Sequence, residues 1–336
     1  MEKKLEDIAR ELNLSIATVS RALNNHTEKL VKKTTRDRIF EFIKKSGYKP
    51  NIKARGLAQG KLTNFFLILS QNEASIFYDY YFMNVIRGIH TVIIDSEYSL
   101  VMLPVRNDYT EEQIYKILLD NETAGLILSP YCSCIEFPFD VIQGYPFPIV
   151  SLDNEIKARN SCSIMLDHTS AGYKGAKFLW EKNYRNFLII SDKRRSPHSA
   201  MRKKGFYSFL KDKEPGTYTI QEIDLILSYT SGLSAIEKVI KINNYPIGVF
   251  ALNDEIAVSI INHAWEKGIQ VPRQMGVLGF DGLPIGKHVY PQLCSVGFPF
   301  YDIGKMAAQS LLEQISGEVR NVKKIVQAVV TEGFSC

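Results

Sequence analysis

Ala17, Ser20, Arg21 and Asn24 recur at i, i+3, i+4 and i+7, the spacing that places four side chains on one face of an α-helix. Three of them are short and the fourth carries a guanidinium. Such a face can lie deep in a major groove, with Arg21 offering its donor fork to O6 and N7 of guanine. Ile16 and Ala17 suit apolar contact with bases and thymine methyls, while Thr18 and Ser20 suit phosphate oxygens. Val19, Ala22 and Leu23 make the opposite, buried side.

A second set of polar residues sits where apolar runs end. Asp153 follows 149–152, Asn253 and Asp254 follow 248–252, and Asp281 follows 276–280. Arg202 is expected to open a helix after the polar loop 192–199. Sugar hydroxyls both donate and accept, so a pocket for them needs carboxylates, amides and a guanidinium together. Tyr81, Phe82 and Phe300 are candidates to cover a sugar's apolar faces. Each polar residue also has a plainer use. Asp and Asn after a strand commonly cap the next helix, and a lone Arg is usually solvated.

The first set needs a small helical head. Leu5, Ile8, Ala9 and Leu12 form one apolar stripe. The stripe stops at Asn13-Leu14-Ser15, and Ser15 is a good N-cap for a second helix from Ile16 to about Leu23. A third helix over about 34–46 presents Ile39, Phe42 and Ile43 inward. Two helices joined so tightly match a helix-turn-helix, although an amphipathic hairpin inside another fold would read alike. Residues 1–61 hold ten Lys and five Arg against five Glu and two Asp, a net of +8, whereas the whole chain of 336 residues is +5. The head is therefore basic and the body mildly acidic. That asymmetry points to nucleic acid, or else to a solvated lysine-rich face.

Residues 48–58, Tyr-Lys-Pro-Asn-Ile-Lys-Ala-Arg-Gly-Leu-Ala, join head to body. Pro50 fits a helix first turn, and 51–58 can make a helix of about two turns that is marginal alone in water. Leu57, between small neighbours, has the character of a wedge that opens a minor-groove base step. An ordinary linker is the alternative.

From residue 62 short apolar runs alternate with helical stretches. The runs are 65–69, 100–105, 125–129, 149–152, 187–191, 222–226, 248–252 and 276–280; the helices are 80–95, 111–121, 171–182, 201–211, 233–242 and 254–267. This predicts an α/β body of two parallel sheets flanked by helices, with ligand sites at the carboxyl edges of the strands. No apolar run approaches the roughly 20 residues of a membrane span, and the charged N-terminus lacks a signal-peptide stretch; the reading is cytoplasmic. Five cysteines of irregular spacing suggest neither a disulfide framework nor a zinc site, and Cys132 and Cys134 are expected to be a reduced loop pair. No Gly-x-Gly-x-x-Gly or Gly-x-Ser-x-Gly occurs, and Gly282-Leu-Pro-Ile-Gly-Lys-His288 misses the phosphate-loop spacing. No catalytic residue, metal or cofactor is expected.

Four motifs then carry a family resemblance. Leu5-Glu-Asp-Ile-Ala-Arg-Glu-Leu, Ser15-Ile-Ala-Thr-Val-Ser-Arg-Ala-Leu-Asn24, Gly47-Tyr-Lys-Pro-Asn51 and Ala54-Arg-Gly-Leu-Ala58 together resemble the lactose/galactose repressor family of bacterial transcription regulators. The resemblance resumes in the body. It implies a helix-turn-helix head over 1–48, a hinge helix and linker over 49–61, and a two-lobed periplasmic-binding-protein-like core over 62–336. The first lobe is expected at about 62–162 plus 295–325, the second at about 163–294 plus 326–336. It also implies a homodimer on pseudo-palindromic operator DNA, with Leu57 at a central C-G step and Lys53, Ala54, Arg55 and Ala58 beside it. The effector would be a sugar or sugar derivative. Met201-Arg-Lys-Lys-Gly-Phe206, Ala251-Leu-Asn-Asp254 and Gly279-Phe-Asp-Gly282 look like segments whose Arg, Asn and Asp contact effector, which assigns that role to Arg202, Asn253 and Asp281. Asp153 matches a strand-end Asp near the cleft, and Tyr81-Phe82 falls where the family has Phe-Phe.

The sequence departs from the family in several places. Lys32 stands where a Ser often caps the third helix, so Thr34 or Thr35 is expected to take over the cap. The loop 71–79 lacks the common Asn-Pro. Val296-Gly-Phe-Pro-Phe300 replaces a polar segment, which implies an apolar crossover, and the tail 331–336 lacks the usual arginine. The reading is a repressor controlled by a small molecule; the alternative is a cytoplasmic sugar-binding or sugar-modifying α/β protein with an accessory head.

Overall fold

The computed structural model describes residues 5–22, 30–46, 62–70, 80–105, 109, 113–114, 117–118, 121, 123–129, 147–156, 160–194, 196–242, 245–317 and 321–336. Leu23, Asn24, the hinge residues Lys53, Ala54, Arg55, Leu57 and Ala58, the loop 71–79, Cys132 and Cys134, and most of the expected helix 111–121 lie outside the described residues. The chain divides into two compact units, 1–62 and 63–336.

The head contains α1 (Leu5–Glu11), α2 (Ile16–Ala22) and α3 (Lys33–Ser46). Asn13 takes a left-handed φ of 55° after α1, a conformation Asn tolerates at a helix C-terminus. Ser15 then caps α2, its Oγ accepting the Thr18 N–H at 3.1 Å. The turn brings Ile8, Ala9, Val19, Ala22, Val31 and Ile39 into one buried cluster, with Leu12, Leu14 and Phe42 packed against it. The third helix is capped differently from expectation. It begins at Lys33, which puts Thr34 and Thr35 inside its first turn and past the cap position. The Lys32 carbonyl accepts the Thr35 and Arg36 N–H groups at 3.0 Å at the start of the helix.

The body builds two six-stranded sheets. The first has the order β11-β5-β4-β3-β1-β2, comprising β1 (Asn64–Ser70), β2 (Ser99–Val105), β3 (Thr123–Leu128), β4 (Ile149–Leu152), β5 (Ser161–Leu166) and β11 (Val322–Val326), all parallel. The second has the order β12-β10-β9-β8-β6-β7, comprising β6 (Asn186–Asp192), β7 (Thr219–Leu225), β8 (Ile247–Ala251), β9 (Met275–Asp281), β10 (Cys294–Gly297) and β12 (Val329–Thr331). Only β12 runs antiparallel to its neighbour. The central strands β3, β4 and β8 are buried along their whole length, as strands covered by helices on both faces must be.

The chain passes between the sheets three times: from β5 into α5 (His168–Glu181), from β10 into α9 (Phe300–Ile315), and from β11 to β12. The passage lies later than 162 and 295, because β5 continues to Leu166 in the first sheet and β10 stays in the second to Gly297. Helix α9 packs with α4 (Tyr80–Ile93) in the first lobe, and α5 with α6 (Pro197–Lys211) in the second. Helices α7 (Gly232–Ile242) and α8 (Asp254–Glu266) cover the other face of the second sheet.

Arg202 does not open its helix, as expected from sequence. Helix α6 starts five residues earlier at Pro197, with Ser196 at the N-cap position. Proline at a first helical position loses no hydrogen bond and arrives with helical φ, so the loop ends sooner than its polarity suggests. The second turn of α6 is pressed onto α5 by two glycines. A Cβ on Gly172 would strike the Arg202 carbonyl, and one on Gly205 would strike the Thr169 carbonyl. Backbone contact at this crossing fixes where the Arg202 side chain begins. Gly172→Ala should therefore cost about 3 kcal/mol by overpacking, read as a lowered urea midpoint; an unchanged midpoint would show that the two helices part freely.

Candidate functional site

On α2 the residues Ile16, Ala17, Ser20 and Arg21 are exposed, while Val19 and Ala22 are buried. The helix thus turns its short polar side outward. Thr18 is half-buried, and its hydroxyl lies 2.8 Å from Ser15 Oγ, inside the cap.

In the body, a chain of polar contacts crosses from the first sheet to the second. Asp153 leaves β4 with φ 57°, one of the few residue types that adopts this conformation readily. Its Oδ1 accepts the Leu166 N–H at 3.1 Å, which ties the ends of β4 and β5 together. Its Oδ2 takes two imidazoles, His168 Nε2 at 2.8 Å and His198 Nε2 at 3.1 Å. The two rings stack with centroids 4.5 Å apart. His168 is the first residue of α5, at the crossover; His198 lies in the first turn of α6. Burial is the main cause that lowers both histidines, His198 to about 4, against the opposing pull of Asp153. Both imidazoles are therefore neutral at pH 7.

Arg202 continues the chain. Its Nε donates to His168 Nδ1 at 3.3 Å, its Nη1 donates to the Leu252 carbonyl at 2.7 Å, and its Nη2 lies 3.6 Å from Asp281 Oδ1. Its guanidinium sits 3.6 Å above the Phe280 ring centroid, a desolvated cation–π contact of about 2 kcal/mol. Four partners from three elements thus orient one side chain that is 13% exposed.

The Gly279-Phe-Asp-Gly282 and Asn253-Asp254 segments interlock. Asp254 is fully buried; its carboxylate accepts Ser295 Oγ at 2.6 Å and the Leu283 N–H at 2.5 Å. A Cβ on Gly279 would occupy the place of that carboxylate. Burial, then the nearby Asp281 charge, pushes the Asp254 carboxyl well above its ordinary value. Asp281 itself has φ 111° and is followed by Gly282 at φ 72°, in a turn held by Gly282 N–H donating to Ser295 Oγ. Sequence reasoning saw Asp281 at a strand end but not the carboxylate beneath it. The small residue at 279 was the available signal.

An aromatic wall closes the other side. Phe298 meets His168 edge-on at 5.2 Å and stands 6.1 Å from Phe280 and 6.4 Å from Phe300; Phe300 in turn meets Tyr81 edge-on at 4.8 Å. Contacts therefore run unbroken through Tyr81, Phe300, Phe298, Phe280, Arg202, His168 and Asp153. Two of the expected residues behave otherwise. Phe82 is 1% exposed and belongs to the core, because adjacent residues on a helix point about 100° apart. Asn253 serves as the N-cap of α8, accepting the Ile256 N–H at 3.0 Å, while its amide nitrogen donates to the Leu227 carbonyl at 3.2 Å. This is the helix-capping use of a residue after a strand.

The ligand atoms of Asp153, His168 and His198 lie within 4.8 Å of one another, close enough to hold a metal ion. The second shell opposes it. A metal on His168 Nε2 would leave the proton of a neutral ring on Nδ1, facing the Arg202 Nε–H. Metal-bound imidazoles need an acceptor there. The contacts suit instead a neutral ring that accepts from Arg202 and donates to Asp153.

Comparison with known proteins supplies the remaining facts. The model described as bacterial regulatory proteins, lacI family, matches residues 4–51, and that of a periplasmic binding protein-like domain matches 176–336. Catabolite control protein A of Priestia megaterium is 29% identical over 321 residues, covering 95% of this chain and 94% of that protein. The NTD biosynthesis operon regulator NtdR of Bacillus subtilis (strain 168) is 26% identical over 328 residues, covering 96% of each. Among solved structures, the lac repressor dimer bound to operator and the anti-inducer ONPF superposes with a TM-score of 0.77 at 19% identity, over 100% of this chain and 99% of that one. The complex of the transcriptional regulator CelR with cellobiose gives a TM-score of 0.66 at 20% identity over 100% of both chains. At these identities the superpositions speak for the fold.

The lowered histidines make stability depend on pH. In the unfolded chain an imidazole binds its proton near the ordinary 6.5, whereas folded His198 does so only near 4. Between these values the unfolded state holds more protons, so stability falls as pH falls. The melting temperature should decline from pH 6.5 towards 4, and His198→Asn should flatten part of that decline; parallel profiles for the two proteins would remove His198 as a cause.

Proposed function

The chain belongs to the lacI family of bacterial regulatory proteins, and from that premise we propose how it works: as a repressor that binds operator DNA through its head and releases or tightens it on binding a small sugar-like effector in the body. The family's members are transcription regulators rather than enzymes. No helix of the described residues is long and apolar enough to cross a membrane; a protein that works on bacterial DNA in this way would do so in the cytoplasm. The lac repressor is a dimer on its operator, and two copies of this chain would likewise pair their heads on a pseudo-palindrome. The division into a head over 1–48, a hinge over 49–61 and a two-lobed core follows the motifs. The hinge would fold on DNA with Leu57 between central base steps, beside Lys53, Ala54, Arg55 and Ala58, and Asn24 would extend the reading face.

The observation that carries the effector site is the array Asp153–His168–Arg202–Asp281, which spans the carboxyl edges of both sheets. Arg202, Asp153 and Asp281 supply charged donors and acceptors for hydroxyls, and Tyr81, Phe298 and Phe300 supply apolar faces. A ligand that contacts both edges prefers one closure of the lobes. That preference is the free energy available to shift the regulator between states.

Two experiments test this reading. Arg21→Ala should weaken binding to the cognate operator by about 1–3 kcal/mol and binding to random duplex far less, in titrations at fixed salt. Equal losses on both duplexes would demote Arg21 to a phosphate contact, and no specific duplex binding by the wild type would favour a sugar-binding protein with an accessory head. For the cleft, ligand co-purified with the native protein is identified by mass spectrometry and titrated against the operator complex. Arg202→Ala and Asp281→Ala should lose the ligand response and retain ligand-free operator affinity; a folded variant with full response would take that residue out of the site.

A further inference from the structure

Asp153 and His198 belong to different lobes and touch directly. Asp153 follows β4 in the first sheet, and His198 lies in the first turn of α6 in the second lobe. The His198 Nε2 stands 3.1 Å from Asp153 Oδ2, and its side chain is 32% exposed, so water reaches the ring. One face of the ring lies on His168, with centroids 4.5 Å apart and planes within 19°. The second imidazole on Asp153 is held differently. His168 stands two residues past Leu166, whose N–H donates to Asp153 Oδ1 at 3.1 Å. The covalent chain therefore keeps His168 beside Asp153. His198 comes only after the whole of α5 and β6 and moves with the second lobe. A rotation about the crossovers displaces most the residues far from them, so opening the cleft parts His198 from Asp153 and leaves His168 in place.

We infer that His198 is a latch between the two lobes and that it makes their closure depend on pH: its contact with Asp153 holds the cleft shut, and acid releases it. The contact is seen in the geometry, and the proton dependence follows from the groups that surround it. Facing His198 are Asp153 from the end of β4, His168 from the start of α5, and Arg202 from the next turn of its own helix. The Arg202 Nε–H donates to His168 Nδ1 at 3.3 Å, so that ring is neutral and keeps its one proton on Nε2, towards Asp153 Oδ2 at 2.8 Å. A proton added at His198 Nδ1 would make a second cation close to Arg202, in a place that excludes much of the water.

Burial is thus the first cause that holds closed His198 down at about 4, with His168 and Arg202 acting in the same direction against Asp153. Parted from Asp153 and hydrated, the same imidazole takes its proton near 6.5. Between these values the open state binds more protons than the closed one, so falling pH favours opening. An effector that binds the closed cleft must then work against the proton, and its hold weakens as pH falls. What this does to DNA rests on the regulatory reading above; the opening itself does not.

The opening is read on the full chain, dialysed and free of DNA. Nitroxides are coupled to azidophenylalanine at two exposed positions, Tyr80 at the start of α4 and Lys193 just past β6. Labelled protein is diluted with unlabelled chain, and the distance between the labels is measured by pulsed electron resonance. From pH 7.5 to 5.5 the ratio of long to short distances should rise about tenfold, with helical circular dichroism unchanged. His198→Gln, whose amide keeps a donor for Asp153 and cannot titrate, should stay short at both pH values. His198→Ala should show the long distance already at pH 7.5 and change no further. A wild-type ratio that acid leaves unchanged or lowers would overturn the proposal, as would a rise that comes only with lost helix. So would a pH response retained by His198→Gln, or a His198→Ala cleft as closed as the wild type. Operator binding plays no part in the measurement, so such a result would count against His198 and not against the regulatory reading.

Discussion

Burial of the Arg202 guanidinium is the constraint around which the cleft is arranged. A cation that is 13% exposed must replace most of its hydration with fixed partners, and an unmatched one would cost several kcal/mol. The partners come from places far apart in sequence: a carbonyl at the end of β8, a ring and a carboxylate at the end of β9, and an imidazole at the first crossover. All of them belong to the second lobe, and His168 alone carries the contact on, to Asp153 at the edge of the first sheet.

The charges beside Arg202 are graded rather than merely opposite. Asp153 is shared by two imidazoles that burial keeps neutral, so its negative charge is dispersed over two donors without being cancelled. Asp254 accepts from Ser295 and from the Leu283 N–H, and its burial and then the nearby Asp281 raise its proton affinity. Asp281 thus has a second acidic group close to it and a guanidinium beside it. This is a strongly polar floor beneath walls made of Phe298, Phe300 and Tyr81.

Much of this was legible in the sequence where the signal was local. The α2 face, the Ser15 cap and eight of the strands follow from period and turn chemistry, and Asp153 and Asp281 are found because strands end visibly before them. The strands β5, β10, β11 and β12 escaped. They are short, Ser161-Cys-Ser opens β5, and Val322-Lys-Lys-Ile-Val is polar enough to read as loop. Missing β5 hid His168, since it is the strand that delivers that residue to Asp153. His198 was placed in a loop because Pro197 reads as a breaker until it is recognised as a first helical residue. Tyr81 and Phe82 read alike in the sequence, because adjacency says nothing about which of two neighbours is the more deeply buried. The partnership of Gly279 with Asp254 is a fact of volume between a strand and the first residue of a helix, and no spacing along the chain encodes it.

The triple passage between the sheets has a consequence for how such a body can change by evolution or engineering. The first sheet takes its outermost strand from 322–326 and the second takes its own from 329–331, while α9, carried between them in sequence, packs on the first lobe. Neither lobe is a contiguous stretch of chain. A cut anywhere from 167 to 297 strips the first lobe of a helix and a strand, so lobes cannot be shuffled between relatives as cassettes. The body must therefore be exchanged whole, with its three crossings kept together.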